Sequence, residues 1–507
     1  MSGTSEHREI EFKFRIPTST SIDLPELLAS TSSMFAVEEH RSMDATYYDT
    51  PSLTLIRWGI TLRHREGGGD DGWHMKLPAS TADLNGTPVG RDEVHAEGNS
   101  RLIPSELISI ASPLLRRQEI VPVARVRTER SPYRVQDDHG TDLVEVVDDR
   151  VEVTRLDDPG VEADSFHEVE VELLVDSKAA WREVDTISTA LRKFGASPNT
   201  LSKAAQALGR RAGDPPDVPA IPYPHADKPA VDALQAIFAS YVRELLASDV
   251  GVRRGVEDSV HSMRVACRRL RSALKTFEPI LDPESVSFLR SELSWMATEL
   301  GGIRDTEVQA VRLSGMAQDQ AVSDFLTTAL ESRRRATMSS AMAALRSDRH
   351  DFLIEDLIIL VSEPPVLADG FAPAHKVLRA CVRRPWRKLD SAVKRTDAGS
   401  PEETWHRIRI LAKQARYSAE AVAPILGPGY ARLAKHLARA TDTLGERHDA
   451  AVSAQWLREL AESAPPPISF RLGMMAASCA DEGRNYQRDF SRRWPTISAR
   501  AQSLGLD

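Results

Sequence analysis

Six prolines between Pro215 and Pro229 divide this chain into two stretches that follow different rules of secondary structure. Pro215, Pro216, Pro219, Pro222, Pro224 and Pro229 remove amide donors and restrict φ, so residues 211–229 are expected to form a semi-rigid spacer outside any core. Before the break come short runs rich in Val, Ile, Tyr and Arg: 45–49, 59–65, 73–77, 121–128, 133–136, 143–147 and 166–174. Their spacing, with polar and Gly-rich turns such as Gly67-Gly-Gly-Asp-Asp-Gly72, predicts an antiparallel sheet or barrel. Residues 179–194 then read as a helix. After the break, long helical patterns begin with residues 231–247 and run to the end. The expected division is 1–210, 211–229 and 230–507, and 41% hydrophobic residues are enough to fill two or three cores.

Charges in the first stretch recur at a spacing of two. Glu9-Ile-Glu-Phe-Lys13 places both carboxylates and the ammonium on one face of a strand, with Ile10 and Phe12 on the other. Arg63/Arg65, Arg125/Arg127 and Glu168/Glu170/Glu172 repeat that spacing. Carboxylates hold a hard divalent cation and cationic donors hold a polyanion, so one inner face carrying both points to a metal bound together with a phosphate chain. His64 and His74 are assigned to packing or solvent, Tyr47 and Tyr48 to packing, and Asp70 and Asp71 to a soluble turn.

The helical stretch contains a degenerate repeat. His261-x-x-Arg264-x-x-x-Arg268-x-x-Arg271 returns 145 positions later as His406-x-x-Arg409-x-x-x-Lys413-x-x-Arg416. Each is followed by a second signal, Leu300-Gly-Gly-Ile-Arg-Asp305 and Leu444-Gly-Glu-Arg-His-Asp449. Offsets of three, seven and ten lie on one side of a helix, so each copy presents an imidazole and three cations as a stripe, and a duplicated helical bundle is expected.

Net charge is −9, but residues 1–210 carry 24 Lys and Arg against 36 Asp and Glu, and the remainder 41 against 38. No such balance marks a nucleic-acid binder, although clustered arginines can still make a local anion surface. Cys267, Cys381 and Cys479 have neither disulfide nor CxxC spacing. There is no secretion leader pattern and no apolar run of membrane length, so the expectation is a cytoplasmic protein without a membrane partner.

These motifs carry a specific resemblance. Residues 1 to about 210 resemble a CYTH domain of the triphosphate tunnel metalloenzyme superfamily, through Glu9/Glu11/Lys13, Tyr47-Tyr-Asp-Thr50, Arg63-His-Arg65, Trp73-His-Met-Lys76-Leu-Pro, Arg91-Asp-Glu93, Arg125-Val-Arg127, Glu168-Val-Glu170-Val-Glu172 and Ser202-Lys203. Residues 230 to about 500 resemble a CHAD domain, the conserved-histidine α-helical domain, through the two His/Arg signatures and the two signals that follow them. The resemblance implies an α+β chain, with an eight-stranded antiparallel β-barrel tunnel followed by an all-α duplicated helical bundle.

It also implies roles. Lys13, Arg63, Arg65, Lys76, Arg91, Arg125, Arg127 and Lys203 would bind phosphate oxygens; Glu9, Glu11, Glu168 and Glu170 would coordinate Mg²⁺ or Mn²⁺. Glu172 would be a further ligand or a water-orienting base, and Glu93 and Asp148 are lesser acidic candidates. His261, Arg264, Arg268, Arg271, His406, Arg409, Lys413 and Arg416 would hold inorganic polyphosphate. The expected activity is metal-dependent hydrolysis of inorganic triphosphate or a related triphosphate, coupled to polyphosphate binding. Two alternatives keep the fold, namely an adenylate cyclase acting on a nucleoside triphosphate and a non-enzymatic polyphosphate scaffold. Oligomeric state, preferred metal and coupling between domains are left open by the residues alone.

Overall fold

Alternation of charged and apolar side chains builds a curled sheet in the first part of the chain. The computed structural model describes residues 4–17, 20, 22–31, 34–79, 90–156, 164–317, 319–397, 400–482 and 486–506, and the chain divides into two compact units between Asp217 and Val218. Among the described residues the first unit has β1 (Thr4–Glu9), β2 (Glu11–Ile16), β3 (Met34–Val37), β4 (Arg41–Asp49), β5 (Thr61–Glu66), β6 (Gly72–Pro78), β7 (Arg91–Ala96), β8 (Val121–Gln136), β9 (Asp142–Arg155), β10 (Asp164–Leu173) and β11 (Ser197–Asn199).

The strand order is β1-β7-β6-β5-β4-β8-β9-β10-β2-β11, with β3 paired to β8. Each pairing is antiparallel. β1 and β2 lie far apart in this order yet are joined by Ile10 alone, so the sheet curls back toward its own start. The expected count of eight strands thus becomes eleven. Residues 9–13, read as one strand, divide at Ile10, whereas 121–128 and 133–136 merge into the single strand β8.

Apolar side chains on the outer face fix the curl. Phe14, Ile16, Val144, Val146, Val169 and Val171 pack against Leu27 and Leu28 of the helix Leu24–Thr31 and against Val184, Ile187 and Leu191 of the helix Lys178–Lys193. Burying a Val, Leu, Ile or Phe stabilises the fold by about 1.5–3 kcal/mol each, so the opposite, charged face is left to border a cavity. Ser177 caps the second helix by accepting from Ala180 N at 3.2 Å.

The Tyr47-Tyr-Asp-Thr50 segment serves the turn after β4. Asp49 is 2% exposed, and its carboxylate accepts from Thr50 N (2.6 Å), Leu55 N (2.8 Å) and Ile56 N (2.9 Å), holding the short helix Thr54–Arg57. Asp49→Ala strands these buried donors. An expected loss of about 1–3 kcal/mol is checked by the denaturant midpoint, and an unchanged midpoint refutes the capping role.

The second unit is helical: Ala230–Arg254, Ser259–Phe277, Pro283–Glu299, Gly301–Ser314, Gln320–Leu345, Asp348–Ser362, Ala374–Val393, Glu402–Leu426, Pro428–Ser463, Pro466–Glu482 and Tyr486–Ser503. The two repeat copies differ in one respect. Pro283–Glu299 and Gly301–Ser314 break at Leu300, where the second copy runs unbroken through Leu444 to Asp449 as Pro428–Ser463. Within this unit Asp249, Arg253 and His350 form a buried charged group, with Asp249 2.7 Å from Arg253 Nε and 2.8 Å from His350 Nε2. The Pro-rich stretch is less spacer-like than its composition predicts, since Val218 is buried and its carbonyl accepts from Arg243 at 2.6 Å. The three cysteines are free and buried. No helix among the described residues is long and apolar enough to cross a membrane.

Candidate functional site

Period-two alternation brings oppositely charged side chains to one cavity of about 220 Å³ in the first unit. Its lining takes Glu9 from β1, Glu11 and Lys13 from β2, Arg63 and Arg65 from β5, Lys76 from β6, Arg91 and Glu93 from β7, and Glu170 and Glu172 from β10. Lys203 joins them from the first turn of the helix Lys203–Leu208, which Ser202 caps through Ala205 N at 3.1 Å.

Cations surround Glu170. Lys13 Nζ lies 3.2 Å, Lys203 Nζ 2.7 Å and Arg130 Nη2 2.8 Å from it. Burial alone would raise the Glu170 carboxyl, but Lys13, Lys203 and Arg130 outweigh it and hold it well below the ordinary range. Lys203 also reaches Asp149 at 2.9 Å and Glu168 at 3.3 Å, and Arg130 reaches Asp149 at 2.6 Å. On the other side Lys76 pairs with Glu9 and lies 3.7 Å from Glu93, while Arg63 lies 3.3 Å from the Tyr47 hydroxyl and 3.5 Å from Glu93. Against burial, Arg63 holds the Tyr47 phenol below its usual value. Arg65 is pushed down to about 9 by burial and then by Arg63. A guanidinium so crowded is stabilised by any anion that enters.

The carboxylates have a surplus of their own. Glu172 stands directly opposite Glu11 on β2 and Glu145 on β9, an arrangement of like charges that is unfavourable without a cation. Burial, then Glu9, pushes the Glu172 carboxyl up to about 8. Glu11 goes the other way: burial opposes ionisation, but Lys13 and Lys76 bring it to about 2. Crowded hard oxygens of this kind are consistent with a divalent cation. Donor atoms of His7, Glu9 and Glu93 also lie within 4.8 Å of one another, as do those of Asp70, His74 and His95.

Several expected residues are placed elsewhere. Arg125 and Arg127 project from the opposite face of β8, where both pair with half-buried Asp44, and Arg130 takes the cavity position. Runs of alternating charge fix which residues share a face but not which face is inner, and β8 carries arginines at both parities. Asp148 likewise faces away and pairs with His167, whereas Asp149 is the buried neighbour of Arg130 and Lys203. Glu168 is fully buried beside Asn199 Nδ2 (2.9 Å) and Gln206 Nε2 (3.0 Å) and does not line the cavity. Arg41, Arg130, Glu145, His7 and Tyr47 line it without having been assigned to it from sequence. His7, two residues before Glu9, had a period-two signal that could have been read.

In the second unit, facing helices enclose a furrow of about 640 Å³. Ser259–Phe277 supplies His261, Arg264 and Arg268; Gly301–Ser314 supplies Arg304 and Asp305; Glu402–Leu426 supplies Arg409, Lys413 and Arg416; and Pro428–Ser463 supplies Asp442, Glu446 and Asp449. Arg271 and His406 are not part of the lining, and His406 is exposed. The Nε atoms of Arg268 and Arg409 are buried without a hydrogen-bond partner. Lys413 is pushed down to about 8 by burial, then by Arg409 and Arg268. Like charges packed this closely make a site for an anion and a poor one for a metal.

The CYTH domain model matches residues 7–204 and the CHAD domain model residues 236–458. An uncharacterized protein of Mycobacterium tuberculosis is 31% identical over 504 residues, covering 94% of each chain. Among solved structures, PptA from Streptomyces chartreusis is similar at 24% identity over 53% of this chain and 100% of its own, with a TM-score of 0.45. The CHAD domain from the plant Ricinus communis is similar at 24% identity over 56% of this chain and 94% of its own, also with a TM-score of 0.45.

Proposed function

This chain belongs to the proteins that join a CYTH domain to a CHAD domain, and from that premise we propose that its first unit hydrolyses inorganic triphosphate or a related triphosphate with a divalent cation. The single observation that carries the reading is the sorted charge of the cavity, where crowded cations and a row of crowded carboxylates meet. We read β1 and β2 as one strand bent at Ile10 and set the short β3 and β11 aside. The remaining ladder is then an eight-stranded tunnel.

In this reading Lys13, Arg63, Arg65, Lys76, Arg91, Arg130 and Lys203 grip the phosphate oxygens, each charge-assisted hydrogen bond strengthened by exclusion of water. Glu170 and Asp149 orient the lysines and Arg130. Glu9, Glu11 and Glu145 would hold Mg²⁺ or Mn²⁺, which when bound neutralises charge on the transferring phosphoryl group. Glu172 orients the attacking water and accepts its proton in the carboxylate form, which predominates above about pH 8. The test is a substrate panel of triphosphate, ATP and pyrophosphate with and without Mg²⁺ or Mn²⁺, reading phosphate and cyclic AMP separately. Phosphate and pyrophosphate released from triphosphate only with metal is the expected result; cyclic AMP as main product, or metal-independent turnover, overturns it.

The helical furrow is read as a polyphosphate site, since a flexible polyanion matches a trough lined by Arg264, Arg268, Arg304, Arg409, Lys413 and Arg416, in which the Nε atoms of Arg268 and Arg409 lack a partner. Lys413 gives it a pH signature. Below pH 8 its ammonium is charged before the anion arrives; above pH 8 binding must recruit a proton. Polyphosphate affinity is expected to fall about tenfold from pH 7 to pH 9, and Lys413→Arg is expected to remove that fall. An identical pH profile in the variant refutes the role of Lys413.

A further inference from the structure

The β5–β6 turn carries Asp70 onto two histidines of the sheet. His74 on β6 and His95 on β7 are directly paired in register, with ring centroids 4.7 Å apart. Asp70 Oδ2 lies 3.8 Å from His74 Nε2 and Asp70 Oδ1 3.8 Å from His95 Nε2. The turn approaches this closely because residue 72 is glycine: a Cβ there would come within 2.9 Å of the Ala96 carbonyl oxygen and 3.0 Å of His95 Nε2.

A second observation concerns the orientation of His74, whose side chain is 2% exposed. Its Nδ1 lies 3.0 Å from Glu93 Oε1, and Glu93 is itself held by Lys76 at 3.7 Å and Arg63 at 3.5 Å. Glu93 thus fixes one edge of the ring and turns Nε2 toward the Asp70 turn, 3.1 Å from the Asp70 carbonyl oxygen, while His95 Nε2 lies 3.1 Å from the Asp71 carbonyl oxygen. The ligating atoms of Asp70, His74 and His95 lie within 4.8 Å of one another, close enough to share one ion. A carboxylate on the far ring nitrogen is the arrangement that orients a histidine as a metal ligand.

We propose that Asp70, His74 and His95 form a binding site for a late first-row divalent cation, such as Zn²⁺ or Co²⁺, distinct from the carboxylates Glu9, Glu11 and Glu145. Two imidazole nitrogens and one carboxylate oxygen suit those ions and disfavour Mg²⁺. The site stands whether or not the cavity hydrolyses triphosphate. Its occupancy reaches the cavity through Arg65, which pairs with Asp70: an ion that takes the Asp70 carboxylate frees that guanidinium for a phosphate oxygen.

The experiment is a Zn²⁺ titration of the metal-stripped full chain against a chromophoric chelator, in excess Mg²⁺ to cover the carboxylate row, followed by visible absorption of the Co²⁺ form. One tightly held Zn²⁺ per chain is expected, with His95→Ala weakening it by about a hundredfold and Asp70→Asn by about tenfold or more, and Glu11→Gln leaving it unchanged. Asp70 lies on an exposed turn, so Asp70→Asn decides the matter should His95→Ala fold poorly by circular dichroism. Parental Zn²⁺ affinity in the folded variants, no Zn²⁺ held against Mg²⁺, or loss of the ion in His7→Ala in place of His95→Ala overturns the site.

Discussion

Glu11→Gln and Arg63→Ala each lower kcat/KM for triphosphate by about 10²–10³-fold, while Arg125→Ala and Arg127→Ala leave it within a few-fold of the parent. A charged group that acts on the developing transition state is worth about 2.7–4 kcal/mol in a water-excluded site. Glu11 is largely buried, its carboxyl held down to about 2 against burial by Lys13 and Lys76. Its amide replacement removes a ligand from the carboxylate row and leaves two ammonium groups less balanced. The Glu11 defect is therefore expected to appear as a raised requirement for Mg²⁺ or Mn²⁺, and the Arg63 defect chiefly as weaker retention of substrate. Steady-state kinetics across metal concentrations separates the two, after circular dichroism shows each variant folded. Comparable losses in the Arg125 and Arg127 variants, which are paired with Asp44 on the outer face, would move the phosphate site out of the cavity and sink the assignment.

Replacing Arg264, Arg268, Arg409 and Lys413 together by Ala is expected to weaken long-chain polyphosphate binding by about a thousandfold. Each lost phosphate contact also takes about 0.7 from the slope of log affinity against log salt, so the slope should flatten by about 3. All four line the furrow, and two of them hold buried nitrogens without a partner. Arg271→Ala is the matched control: it belongs to the same sequence stripe, but its side chain is not in the lining. Titration of labelled polyphosphate at two salt concentrations reads both quantities. Unchanged affinity in the quadruple variant, or an equal loss in Arg271→Ala, leaves the furrow without that function.

Spacing made part of both sites legible. Glu9, Glu11 and Lys13 share a face because strands repeat every two residues, and Arg264 and Arg268 share one because helices return after three or four. Asp70 and His74 illustrate the limit. A Gly-rich turn and a strand histidine look soluble or structural one at a time, and only the pairing of β6 with β7 sets His74 beside His95 under Asp70.

From residues alone come the two kinds of architecture on either side of the proline stretch, the family, and the sets of charges that travel together on one face. All of these are local, carried by periodicity and by motifs whose members are close in the chain. Tertiary structure decided which face turns inward. On β8 the cavity takes Val126, Thr128 and Arg130, one face of the strand, and leaves Arg125 and Arg127 on the other. In the helical unit the packing of Ser259–Phe277 leaves Arg271 out of the furrow. A strand or helix carries its charges as a rigid set, but the direction of that set is chosen by apolar burial against elements distant in the chain, which no local spacing encodes.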